Sequence, residues 1–201
     1  MVVRCVVLLL LLFPFIVNAQ INEKERVPKK GLLRAQANIA TGKLLAYNQG
    51  SIYVCGDLEY YLDSKTSLRG EAFYFINATN KGANQKLIMN HSIFSGAMFH
   101  LPTKGNLDPF FGIQPGLSLT QIESTFLDQN VQESFAVKSK LAVSPLLSAM
   151  AGIQYYAPKF FHLFANVRYV NGAHLGNTGK YSLEEVRFTF GLGFNLALLK
   201  S

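Results

Sequence analysis

The chain has 201 residues, of which 49% are hydrophobic and 15% charged, with a formal net charge of +7. That length suits one domain. The basic residues are dispersed and form no stripe that could track a phosphate backbone, which argues against a nucleic-acid partner. With Cys5 and Cys55 as its two cysteines, the chain is not a disulfide-stapled scaffold.

The first 19 residues have the layout of a cleavable signal peptide. Arg4 supplies the positive start, residues 6–17 a short apolar core, and Val17-Asn18-Ala19 the small residues of a cleavage site. The apolar run, interrupted by Pro14, is too short for a membrane-spanning helix. Loss of Arg4 with the leader lowers the net charge from +7 to +6. Cys5 leaves too, so Cys55 has no intramolecular partner and is expected to fill interior space. Residues 20–31 form a polar lead-in, and residues 32–201 form the remaining domain.

That domain reads as eight strands. In residues 32–41, Leu33, Ala35, Ala37 and Ile39 alternate with Arg34, Gln36 and Asn38. In residues 51–63, Ile52, Val54, Leu58, Tyr60 and Leu62 alternate with Tyr53, Cys55, Asp57, Glu59 and Tyr61. Residues 66–77 set Leu68, Ala72, Tyr74 and Ile76 against Arg69, Glu71, Phe73 and Phe75. Residues 88–101 set Ile93, Ala97, Phe99 and Leu101 against Ser92, Gly96, Met98 and His100. Further strands are expected over residues 109–121, 142–156 and 161–171, the last placing Arg168 opposite Val167 and Tyr169. The final strand, 185–196, is the cleanest: Val186, Phe188, Phe190, Leu192, Phe194 and Leu196 alternate with Arg187, Thr189, Gly191, Gly193 and Asn195. A period of two over such lengths gives each strand one greasy face and one small-or-polar face. The expectation is an all-β fold: an eight-stranded antiparallel up-and-down transmembrane β-barrel with the greasy face toward lipid and the polar face lining the lumen.

The connections, 42–50, 64–65, 78–87, 102–108, 122–141, 157–160 and 172–184, alternate long and short. Outer-membrane barrels have short periplasmic turns and long external loops, so both termini and the short turns are expected in the periplasm. Ten aromatic residues fall at the short-turn ends of the strands: Tyr60, Tyr61, Phe99, Phe110, Phe111, Tyr155, Tyr156, Phe160, Phe161 and Phe194. They are expected to form an interfacial girdle, without tryptophan.

Three stretches then resemble a known family. Pro109-Phe-Phe-Gly-Ile-Gln-Pro-Gly-Leu117 is similar to a Pro-aromatic-x-Gly strand of small outer-membrane barrels. Ala151-Gly-Ile-Gln-Tyr-Tyr156 with Phe164-Ala-Asn-Val-Arg-Tyr169 resembles the hairpin that follows, and Phe190-Gly-Leu-Gly-Phe194 the closing strand. The resemblance is to the outer membrane protein beta-barrel domain family, of the OmpA/OmpX-like, porin-family kind found in Bacteroidetes-type bacteria. It covers the second half best and departs at the C-terminus, which ends Ala197-Leu-Leu-Lys-Ser201 rather than in an aromatic residue. It implies a Gram-negative outer-membrane location.

Eight strands enclose a space that side chains can fill. Arg34, Asp57, Glu59, Arg69, Glu71, Arg168, Glu185 and Arg187 face inward by parity, four of each sign. Unpaired charges there would be costly, so an ion-paired plug is expected, with Tyr53, Phe73, Phe75, Phe94 and Met98 packed around it. The leading functional expectation is a structural or surface-interaction role. Its partners are outer-membrane lipid, with lipopolysaccharide contact, and an extracellular partner reached through the loops; the barrel is expected to be a monomer. A narrow ion or small-solute channel of the same fold is the alternative. A lipid-modifying enzyme is disfavoured: there is no Gly-x-Ser-x-Gly elbow and no metal-spaced cluster, so no cofactor or metal is expected. A soluble calycin-like carrier of an apolar ligand would show the same alternation with its faces inverted, and parity alone cannot distinguish it.

Overall fold

The computed structural model describes residues 30–47, 49–79, 84–103, 105–128, 133–157, 161–176 and 181–197. The expected leader and nearly all of the polar lead-in therefore lie outside the described residues. The strands are β1 (Leu32–Leu44), β2 (Gln49–Tyr61), β3 (Thr66–Thr79), β4 (Gln85–His100), β5 (Leu107–Asp128), β6 (Glu133–Lys138), β7 (Ala142–Tyr156), β8 (Phe161–His174), β9 (Tyr181–Ser182) and β10 (Glu185–Ala197). No helix occurs among the described residues.

Eight of these strands are barrel staves. Each pairs antiparallel with the next, and β10 returns to β1 from Leu32↔Ala197 to Leu44↔Glu185. Closure gives every stave a partner on both sides, as holding a sheet in hydrocarbon requires. The two short strands are extensions. β6 pairs with the far end of β5 from Glu123↔Lys138 to Asp128↔Glu133, and β9 pairs with Ala173 and His174 of β8.

These extensions correct the sequence reading of the loops. Much of the expected loop 122–141 is a protruding two-stranded ribbon, and the expected loop 42–50 shrinks to a connection over 45–48. Connections at the two ends are thus similar in length; the asymmetry lies in strands that run past the barrel at one end. The ribbon hid from the sequence because both its faces are open. Phe135, Ala136, Val137 and Lys138 are exposed in succession, so no period of two is imposed.

The greasy rows face outward all round: Ile39, Leu58, Ile93, Ile113, Leu163 and Phe190 are exposed, Phe190 to 76%. The charged rows face in. The inverted, calycin-like arrangement is therefore not the one adopted. Exposed aromatics at the short-turn end include Phe99, Phe111, Tyr155 and Phe161, with Phe99 and Phe111 rings 5.7 Å apart. Tyr61, Phe110 and Tyr156, expected in the same girdle, are instead buried in the lumen. Adjacent residues on a strand point to opposite faces, so Tyr60-Tyr61, Phe110-Phe111 and Tyr155-Tyr156 each contribute one ring to each side. Phe160 lies outside the described residues.

Candidate functional site

Among the described residues the lumen gathers most of the buried polar chemistry, and it is built in tiers. At the short-turn end, the inward positions of β2, β3, β4, β5 and β7 bring together Glu59, Tyr61, Ser67, His100, Asp108 and Tyr156, all buried. Tyr61 and Tyr156 hydroxyls both lie 3.1 Å from Asp108 Oδ2 and 3.1 Å from each other. Arg34 of β1 donates to the Tyr156 hydroxyl at 3.0 Å and pairs with Glu59.

The next tier centres on Arg69, whose guanidinium lies 3.0 Å from Asp57, 3.3 Å from Glu71 and 3.6 Å from Glu59. Arg168, from across the lumen on β8, pairs with the other oxygen of Glu71 and donates to Ser148 Oγ at 2.7 Å. Above it, Arg187 donates through Nε to Glu185 at 2.8 Å and through Nη1 to Ser92 at 2.8 Å. The Tyr53 hydroxyl donates to Glu185 at 2.8 Å. The Arg187 guanidinium also lies over the rings of Tyr53 (4.3 Å) and Phe73 (4.8 Å), and that of Arg168 over Phe94 (4.6 Å). Cations on ring faces gain more where water is excluded. The far end holds an apolar cluster, with Leu44, Leu87, Ile122, Tyr181 and Leu183 almost fully buried. Cys55 is buried in this cluster and its thiol donates to Asn38.

All eight residues singled out from parity therefore sit inside the barrel, and each has an ion-pair partner of opposite sign among the other seven. Sequence reasoning missed a ninth and a tenth. Asp108 falls in the expected connection 102–108, yet it opens the inward row of β5; His100 is on the expected inward face of its strand but is not among the eight. Its Nδ1 lies 2.9 Å from Asp108, and its Nε2 lies 3.0 Å from Glu59.

Ser67 completes a chain that has nucleophile–base–orienter distances. Its Oγ is 2.9 Å from His100 Nε2, itself on the ring opposite Asp108. Catalysis would need the serine proton directed at a free imidazole nitrogen. Here the Ser67 hydroxyl donates to Glu59, and both nitrogens of His100 face carboxylate oxygens. Ser67 is fully buried. The arrangement cross-links four strands, β2 to β5. Among the described residues, no group of three His, Cys, Asp or Glu side chains could hold a metal ion.

Neither a protein-family model nor a curated protein matches the chain. Solved structures do. The outer membrane protein OprG from Pseudomonas aeruginosa superposes with a TM-score of 0.56 at 14% identity, covering 84% of this chain and 97% of OprG. Neisserial surface protein A gives 0.55 at 16% identity, covering 82% and 96%. Ail, the attachment invasion locus protein of Yersinia pestis, gives 0.53 at 12% identity, covering 83% and 99%. Identities this low speak to fold alone.

Proposed function

We propose that this chain, which has the fold of the OmpA/OmpX-like eight-stranded outer-membrane barrels, is an integral outer-membrane protein with a structural or surface-interaction role. The observation that carries the reading is the outer wall. Its exposed apolar rows run unbroken around a closed barrel, far beyond the few hundred Å² of apolar patch that soluble monomers leave in water. In the proposed topology the termini and the turns at 62–65, 101–106 and 157–160 are periplasmic, and the β5–β6 ribbon projects outside. The barrel is monomeric and surrounded by outer-membrane lipid, lipopolysaccharide included, with the ribbon and neighbouring loops available to an extracellular partner.

The lumen serves as a plug in this reading. The tiers from Arg34 to Arg187 fill its cross-section, and the apolar cluster closes one end. The Ser67–His100–Asp108 chain is part of that plug and not a catalytic centre. A narrow ion conduit competes with the plug, favoured by the continuous file of charged side chains. Single-channel recording separates them: stepwise conductance altered by Glu71→Gln or Arg168→Ala would replace the plug with a conduit.

The test of location is fractionation of cells expressing the full chain, followed by gel electrophoresis of the outer-membrane fraction with and without boiling. Membrane recovery with a heat-dependent mobility shift is expected. A soluble product without the shift would overturn the proposal.

A further inference from the structure

The β3–β4 seam of the barrel wall is irregular. The β3–β4 ladder runs from Thr66↔Phe99 only to Phe73↔Ser92, leaving residues 74–79 of β3 and 85–91 of β4 outside it. The same segments remain paired on their other sides, β3 with β2 up to Gly50↔Thr79 and β4 with β5 from Gln85↔Ser124. Each strand carries a bulge near this seam. The β2–β3 register shifts between Ile52 and Tyr53, opposite Asn77 and Phe75, so Ile76 is extra; the β4–β5 register shifts between Leu87 and Met89, so Ile88 is extra. A bulge bends its strand and increases local twist, so two bulges on facing strands account for their divergence.

Side chains stand in for the missing ladder. The Phe75 amide donates to His91 Nδ1 at 3.1 Å, and the His91 ring stacks on Tyr74 at 4.4 Å. From inside, the Gln49 carboxamide serves both backbone groups of Leu87, accepting from its amide at 3.1 Å and donating to its carbonyl at 3.2 Å. Such latches satisfy backbone groups that would otherwise be left orphaned.

At the crotch of the seam lies an apolar pocket of about 400 Å³ on the outer wall, lined by residues that include Ala72, Tyr74, His91, Ile93, Leu117 and Val143. Its size falls in the range of about 300–1,000 Å³ typical of small-molecule sites. Behind it, Phe73, Phe75, Leu87 and Ile122 belong to one buried cluster, and the Arg187 guanidinium lies over the Phe73 ring and donates to Ser92 at the pocket's base. No Asp, Glu, Lys or Arg side chain lines the pocket.

We propose that the β3–β4 seam is a lateral binding slot for one acyl chain of a bilayer phospholipid, seated on Tyr74, Ile93 and Val143 and gated by the His91 and Gln49 latches. The occupant follows from position and chemistry: the slot opens onto the lipid-facing wall, has no Asp, Glu, Lys or Arg in its lining, and offers apolar surface both outside and, once unlatched, inside. The inference rests on the membrane reading above.

The test uses the full chain refolded into phosphatidylcholine vesicles containing a small fraction of phospholipid with a diazirine in mid-chain. Crosslinked peptides are quantified by mass spectrometry. Labelling at Tyr74, Ile93 and Val143 is expected to exceed that at Phe188 and the still more exposed Phe190 of the opposite wall at least threefold. His91→Ala should extend labelling to lumen-facing Phe75 or Leu87, and Ile93→Trp, which fills the pocket, should abolish the excess. An excess displaced by free fatty acid at equimolar amounts with the lipid would overturn the assignment to a bilayer lipid. Uniform labelling of a vesicle-bound, heat-shifting barrel would overturn the slot but leave the membrane reading intact. Failure to enter vesicles or to show the heat shift would overturn both.

Discussion

Glu71 accepts from Arg168 and lies 3.3 Å from Arg69, so it joins two strands' guanidiniums across the lumen. Buried pairs of this kind add little over apolar packing, but removing one partner strands the other. Glu71→Ala should therefore lower stability by about 3–5 kcal/mol, while Glu71→Met with Arg168→Leu should recover most of the loss. Denaturant midpoints of vesicle-embedded protein, read as the fraction retaining the unboiled gel mobility, check both. Ser67→Ala removes the donor to Glu59 and one partner of His100; it should cost about 1–3 kcal/mol. The mass spectrum of host-cell lipid should be the same with Ser67→Ala, wild-type protein and empty vector. A wild-type-only change in lipid mass would make the Ser67 chain catalytic after all.

The strands show why this wall needs small residues at particular inward positions. A Cβ on Gly116 of β5 would stand 2.5 Å from the Ile93 carbonyl oxygen and against the Phe94 ring. Gly116 therefore makes room for the aromatic layer beneath Arg168 and Arg187. Gly116→Val should overpack that layer and cost about 1–3 kcal/mol, with Phe94→Ala in the same chain relieving part of the strain; the same gel-based unfolding midpoint reads it. Strand existence and the sharing of one face were legible in residues such as Arg34, Asp57 and Arg168, because one wet and one greasy face impose a period of two. The bulges at Ile76 and Ile88 were not legible. Each shifts the register by a single residue inside an apolar stretch, where either parity looks acceptable.

For the whole molecule, the outer wall carries the membrane reading, and a charge placed there tests it. Phe190→Arg puts a cation at the most exposed apolar position of β10; near the bilayer midplane it should cost about 2–4 kcal/mol and reduce the heat-shifting fraction. Leu175→Arg, at a similarly exposed residue just past the end of β8, should change the fraction little. Equal effects at the two positions would place the apolar band elsewhere.

The sequence by itself determined the all-β class, the eight staves and which charges share one face of the wall. Those properties follow from local alternation, which each strand declares without knowledge of its neighbours. Only the tertiary structure decided which face is inside, that Tyr61, Phe110 and Tyr156 leave the expected girdle for the lumen, and that His100 and Asp108 join the ion-paired tiers. It alone showed that the expected loop 122–141 is largely paired strand and that the β3–β4 ladder stops short. All of these depend on which residues meet across the barrel, and register between distant strands leaves no periodic trace along a single chain.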